Sequence, residues 1–170
     1  MHVERIVHTI EPVFDGASRV LVLGTMPSPA SREAGFYYGH PQNRFWRVME
    51  RLYGQAESSL VNNELRQAFL LDHHIALWDV LASCDIAGAS DASIANAIPN
   101  DLTRVLDVAP IQTVCTTGGK AAQLCRRYHG ELLSQRAIDL VELPSTSPAN
   151  ARMRLDDLVR AYRAVGVFEE

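Results

Sequence analysis

At 170 residues and 18.8 kDa, with 47% hydrophobic residues, the chain is long enough to bury a core without a metal or disulfide staple. No segment approaches the roughly 20 consecutive apolar residues of a spanning helix, and the charged N-terminus Met1-His-Val-Glu-Arg5 leaves no apolar heart for an export signal, so a membrane protein is excluded and the cytoplasm is expected. The net charge of −4 excludes a uniformly basic surface, yet residues 118–163 carry eight basic against five acidic side chains, which permits an anionic partner at one place.

The first strong element is Arg19-Val-Leu-Val-Leu23, a short β-branched apolar run that stops at Gly24 and reads as a buried strand entering the Pro-rich loop Met26-Pro-Ser-Pro29. A long loop with Gly35 and Gly39 then leads to a helix from Phe45 to Leu52, where Phe45, Val48, Met49 and Leu52 share one face. Asn62 to Leu71 is predicted helical, Ile75 to Trp78 a strand, and Asp101 to Val108 a helix. Ile111 to Thr116 is a strand broken by Gly118-Gly119, Ala121 to Tyr128 a helix, and Ile138 to Leu143 the last strand. A closing helix from about Ala151 places Leu155, Leu158, Val159 and Tyr162 on one side.

Short apolar strands alternating with helices specify an α/β class: one three-layer α/β/α domain over residues 1–170 with a central four-stranded parallel sheet. Ligands of such sheets bind beyond the carboxyl ends of the strands, here the loops starting at Gly24, Asp79, Thr117 and Pro144. The three cysteines, Cys84, Cys115 and Cys125, lie far apart with no Cys-x-x-Cys pair, and read as reduced, buried thiols.

Familiar motifs are mostly missing. Gly118-Gly-Lys120 follows a strand, but a phosphate loop needs glycine in place of Val114 and a hydroxyl in place of Ala121. His40, His73 and His74 match no metal-ligand spacing, so no metal is expected. Ser145 and Ser147 lack the strand–turn–helix setting of an activated serine.

The dense feature is Gly24-Thr-Met-Pro-Ser-Pro29 followed by Gly35-Phe-Tyr-Tyr-Gly-His-Pro-Gln-Asn-Arg-Phe-Trp46. An aromatic wall facing an amide at the mouth of a parallel sheet suits a planar heterocycle. Phe45 and Trp46 open a helix and belong to the core, whereas Tyr37 and Tyr38 are candidates for a stacking face.

These two runs, with Trp78-Asp-Val-Leu-Ala-Ser-Cys84, Ser90-Asp-Ala-Ser-Ile94 and Leu143-Pro-Ser-Thr-Ser-Pro-Ala-Asn150, resemble the hypoxanthine-DNA glycosylases of the uracil-DNA glycosylase superfamily over almost the whole chain. The resemblance implies the same three-layer fold and a monofunctional, cofactor-free enzyme. It would flip a deaminated base, hypoxanthine first, out of DNA and hydrolyse its N-glycosidic bond, with DNA as partner and a monomer as the working unit. The alternatives are a uracil or mismatch-specific uracil/thymine glycosylase, or a non-catalytic nucleic-acid-binding module on the same fold.

In the superfamily the first loop usually presents an Asp or Asn that positions water two residues after its glycine, and here that place holds Met26, which can neither orient water nor stabilise an oxocarbenium-like sugar. By the resemblance the catalytic amide is Asn43, the alternative being a structural or base-contacting amide. The implied base-binding set is Tyr38, Gly24, Thr25, Met26 and Phe36. The implied DNA-binding set is Ser145, Thr146, Ser147, Pro148 and Arg152, the serines through hydroxyls and main-chain N–H groups. Where relatives place a bulky wedge in that loop, this chain has the small Ala149.

Overall fold

The computed structural model describes residues 2–166. Val20–Gly24 (β2) has no polar side chain and is buried along its whole length, which a strand achieves only when both sheet faces are covered. It pairs in parallel with Ile75–Asp79 (β3) on one side and Thr113–Thr117 (β6) on the other, and β6 pairs with Asp139–Leu143 (β7), giving a four-stranded parallel sheet in the order β3-β2-β6-β7. The α/β architecture and the sheet expected from the sequence are therefore present. The exposed side of β3 does not stay open: Val13 bridges Leu77 by N–H···O contacts of 2.9 and 2.8 Å in the two directions, closing an edge that would otherwise template association.

The helices start and stop where their end groups find partners. Phe45–Leu52 (α2) and Asn63–Asp72 (α3) match the sequence reading, the latter capped by the Asn62 side chain accepting from Leu65 N–H. Gly119–Gln135 (α5) runs a further two turns past the predicted Tyr128, its apolar period continuing to Leu133. Thr103–Leu106 (α4) keeps only one turn of the predicted helix, before Ala109-Pro110. Leu155–Ala161 (α6) begins four residues after the predicted start, because the carbonyls of Asn150 and Met153 bind a guanidinium instead of helix N–H groups. Pro29–Ala34 (α1), predicted as loop, is a short helix with Ser28 as N-cap, proline at its first position and Gly35 at a φ of 70° closing it.

A second sheet escapes the sequence reading altogether. Glu4–Val7 (β1), Leu81–Ile86 (β4) and Ala95–Pro99 (β5) form a three-stranded antiparallel sheet in the order β1-β4-β5. Val80 alone separates β3 from β4, so the chain changes sheets within one residue, and Val80 and Leu81 donate to the carbonyls of Gly24 and Thr25 at 2.8 and 3.1 Å. The buried apolar side chains of the described residues form one continuous core. At the carboxyl end of the parallel sheet, Gly118 has a φ of 98° and a Cβ there would lie 3.3 Å from Ser145 Cβ, so this turn admits the β7 loop only as glycine.

Candidate active site

A cavity of about 290 Å³ opens at the carboxyl ends of β2, β3, β6 and β7, near the lower limit for small-ligand pockets. Gly24, Thr25 and Met26 form one wall, Tyr38 and Asn43 another, and Ser145, Thr146, Ser147 and Pro148 a third. Segments more than one hundred residues apart in sequence thus meet in one place. Phe36 does not join them. It is buried, stacked on Trp46 with ring centroids 6.0 Å apart and edge-on to Tyr37, and belongs to the core.

Of the paired tyrosines, Tyr37 is 2% exposed and its hydroxyl is tied to the carbonyl of Glu11 at 2.8 Å. Both line the cavity, but Tyr38 is the less buried ring. Phe45 covers it at 4.1 Å with planes 15° apart, and its hydroxyl shares a 3.0 Å hydrogen bond with Thr117 Oγ1. The backbone there is left-handed, with φ at 52°, an unusual state for a bulky residue that costs about 1–3 kcal/mol and marks a position held for its side chain. Burial pushes the Tyr38 phenol well above its ordinary value, with the neighbouring Asp79 adding to the rise, so the ring stays neutral.

Asn43 has a fixed orientation. Its Oδ1 accepts from Phe45 N–H at 2.9 Å and from Thr146 Oγ1 at 2.9 Å, and since a main-chain N–H only donates, the oxygen is identified by its partner. Both lone pairs are engaged. Nδ2 has no partner among the described residues, so Asn43 presents two N–H donors and no acceptor to the cavity it lines.

The loop after β7 is built from within. Ser145 Oγ accepts from Ser147 N–H at 3.1 Å, and Ser147 Oγ accepts from Ala149 N–H at 3.2 Å. Those two N–H groups are therefore not free for phosphate, contrary to the sequence expectation, and the serines retain their hydroxyl protons. Thr146 is 1% exposed and turned inward to Asn43, which removes it from the DNA-contacting set. Arg44 holds the whole segment: it donates to the carbonyls of Ser147 and Asn150 at 2.8 and 2.9 Å, to that of Met153, and through its main-chain N–H to Thr146 at 3.0 Å.

Arg152 lies in the loop ahead of α6, exposed and without a partner among the described residues. The basic excess of the C-terminal third is smaller than its count suggests, since Arg126, Arg136 and Arg160 are paired with Glu142, Asp107 and Asp157. Two carboxylates that the sequence reading gave no role also reach the cavity, Asp79 at the end of β3 and Asp91 at its rim. The signal for Asp79 was its place at a strand's carboxyl end, where the polar residue follows four apolar ones. Among the described residues no group of three or more His, Cys, Asp or Glu side chains is placed to hold a metal ion, and no helix is long and apolar enough to cross a membrane.

A neutral aromatic ring, directed amide donors and a hydroxyl-bearing loop suit a flat heterocycle attached to an anionic backbone. Known proteins point the same way. Proteins named hypoxanthine DNA glycosylase from Methanosarcina acetivorans and Methanosarcina barkeri are 30% and 31% identical to this chain, covering 82% and 83% of it and 85% and 86% of their own lengths. The solution NMR structure of a Methanosarcina acetivorans protein, provisionally named a uracil DNA glycosylase, has a TM-score of 0.76 at 26% identity, covering 96% of this chain and 99% of that one. The sequence profile of the uracil DNA glycosylase superfamily matches residues 11–165, a span that takes in the parallel sheet and every wall of the cavity, and the chain belongs to that superfamily.

Proposed function

We propose that this DNA glycosylase removes hypoxanthine from deoxyinosine in DNA, acting as a cytoplasmic monomer. The observation that carries the reading is the meeting of Tyr38, backed by Phe45, with the Asn43 amide on one wall of the cavity. Two relatives at 30% and 31% identity bear the name of that activity.

In this reading the extruded base stacks on Tyr38, itself backed by Phe45, an arrangement worth about 1–3 kcal/mol. The Gly24 and Thr25 carbonyls of the first loop accept from Val80 and Leu81 N–H, which fixes that wall's main chain. The C1′–N bond breaks toward a sugar cation and a base anion, water adds to C1′, its proton leaves, and the base departs protonated. Donors stabilise anions. With its oxygen engaged, Asn43 serves the charge growing on the departing base through Nδ2, or holds the oxygen of the incoming water, and does not stabilise the sugar cation. Ser145, Ser147 and Arg152 would hold the flanking phosphates.

Single-turnover cleavage of duplexes carrying one hypoxanthine or one uracil tests this. Hypoxanthine is expected to leave faster than uracil. Asn43→Ala should slow it about 100- to 1,000-fold. Asn43→Asp keeps both acceptor contacts and lacks the donors, so it should slow release comparably at an unchanged melting temperature. No release of either base would overturn the assignment.

A further inference from the structure

Asp79, on the floor of the cavity, is bound by His8 at 2.8 Å, and the Tyr38 hydroxyl by Thr117 at 3.0 Å. His40, which also lines the cavity, keeps a polar atom free. Its Nδ1 accepts from Gln42 N–H at 3.0 Å, which engages the lone pair of that nitrogen and leaves the proton of the neutral ring on Nε2. Nε2 has no partner among the described residues, and the side chain is exposed. The proposed reaction gives this donor no role.

The local chain ties that donor to the stacking ring on one side and to the amide on the other. Gly39, between Tyr38 and His40, donates its N–H to Ser31 Oγ at 3.0 Å and lies against α1, where a Cβ would stand 3.1 Å from Ala34 Cβ. His40 and Asn43 are the two ends of one β-turn: Asn43 N–H donates to the His40 carbonyl at 2.9 Å, and Pro41 supplies the fixed φ of the turn's second residue. The ends of such a turn lie within about 7 Å of each other. Two side-chain donors, His40 Nε2–H and the Asn43 amide, therefore line the cavity from one turn that follows Tyr38 directly.

Purines and pyrimidines differ in what they offer such a donor as they depart. When the bond from C1′ to N9 of hypoxanthine breaks, the electron pair stays on the five-membered ring, and N7 of that ring is a lone-pair acceptor whose share of the negative charge grows. Uracil leaves from N1 and has a C5–H on the corresponding edge, with no nitrogen there. A hydrogen bond to N7 is thus stronger in the transition state than in the ground state, and it lowers the barrier for purines alone. We propose that His40 is a specificity-determining residue that donates Nε2–H to N7 of the extruded base and so favours a purine over a pyrimidine leaving group. The proton stays on His40 throughout. The inference rests on the proposed glycosylase reading and extends it: adenine shares N7, so His40 reads the class of the base and leaves its deamination to other groups.

The test follows single-turnover release of hypoxanthine by the wild-type chain, His40→Ala and His40→Gln, alone and in competition with free hypoxanthine or free 7-deazahypoxanthine, which carries C–H in place of N7. Hypoxanthine should inhibit the wild type at a concentration about three- to tenfold lower than its 7-deaza analogue. His40→Ala should slow release about 10- to 100-fold and bring the two inhibitors to equal strength. Glutamine at position 40 can still donate and should recover part of both effects. Affinity for undamaged duplex should be the same in all three.

Equal inhibition of the wild type by the two bases, including none by either, overturns the inference, and so does a difference that persists in His40→Ala; hypoxanthine release by the wild type then leaves the glycosylase assignment standing. No release by the wild type overturns both. A loss of affinity for undamaged duplex in His40→Ala, with the difference between inhibitors intact, overturns the inference by making His40 a backbone contact. Should His40→Ala fail to fold, His40→Phe, which keeps a ring and has no donor, takes its place with the same expected outcomes.

Discussion

A methyl group added at Gly24 would meet Asp79 Oδ1 at 2.5 Å, and the carboxylate cannot yield without breaking its bond to His8. Gly24→Ala is therefore expected to cost about 1–3 kcal/mol in urea unfolding and to slow base release as well, since the displaced carboxylate lies in the cavity. A nearly neutral change in both would show that the floor is softer than its contacts imply. At this scale the sequence was informative where chemistry is local. Tyr38 and Asn43 stand in one twelve-residue run with the support they share, Phe45, two positions from Asn43, while Thr117 and Thr146 come from far along the chain. Phe36, in the same run, could not be sorted from them because adjacent aromatics diverge only once the backbone bends at Tyr38. Asp79 stayed hidden for the opposite reason: its partner His8 is 71 residues away, just past a strand with no buried residue to announce it.

The loop after β7 owes its shape to Arg44 as well as to its own serine turns. One guanidinium binds four carbonyls spread from Thr146 to Met153, a fork that a lysine ammonium does not reproduce. Arg44→Lys should accelerate amide hydrogen exchange across residues 145–153 while leaving β2 and β6 protected, and should weaken DNA binding; equal protection in that segment would show that the serine turns suffice. The elements most legible from the sequence are those whose burial is complete, such as β2 and β3, because an unbroken apolar run has few other uses. Less legible are β1 and β5, with mostly exposed residues and no long apolar run. The Ser28-Pro29 start and Gly35 stop of α1 were readable cap signals, yet its interior has no apolar stripe to mark it as a helix.

On the scale of the whole molecule, a protein with a net charge of −4 must bind DNA through few cations, several of which are already paired. The dependence of binding on salt should be shallow, and Arg152→Ala should reduce the slope of log K against log salt by about 1; an unchanged slope would place Arg152 away from the phosphates. Folding carries a pH dependence of its own. Burial holds His129 below its ordinary value of 6.5, against Asp101 and the Val80 carbonyl pulling it up, and Nε2 has no hydrogen-bond partner. The unfolded chain therefore takes up a proton that the folded one resists, so stability falls as pH drops through about 6.5. Urea unfolding at pH 7.5 and 5.5 should show this loss and His129→Gln should reduce it, whereas an equal loss in the variant would assign it to other groups. The two tryptophans share the cavity's supports. Trp46 donates its indole N–H to the Tyr37 carbonyl at 3.1 Å, and Trp78 immediately precedes Asp79 in β3. Both chromophores are thus one residue away, by bond or by chain, from the groups that would touch an entering base, and the unlabelled protein carries an intrinsic fluorescence reporter through which occupancy of its own pocket can be followed in real time.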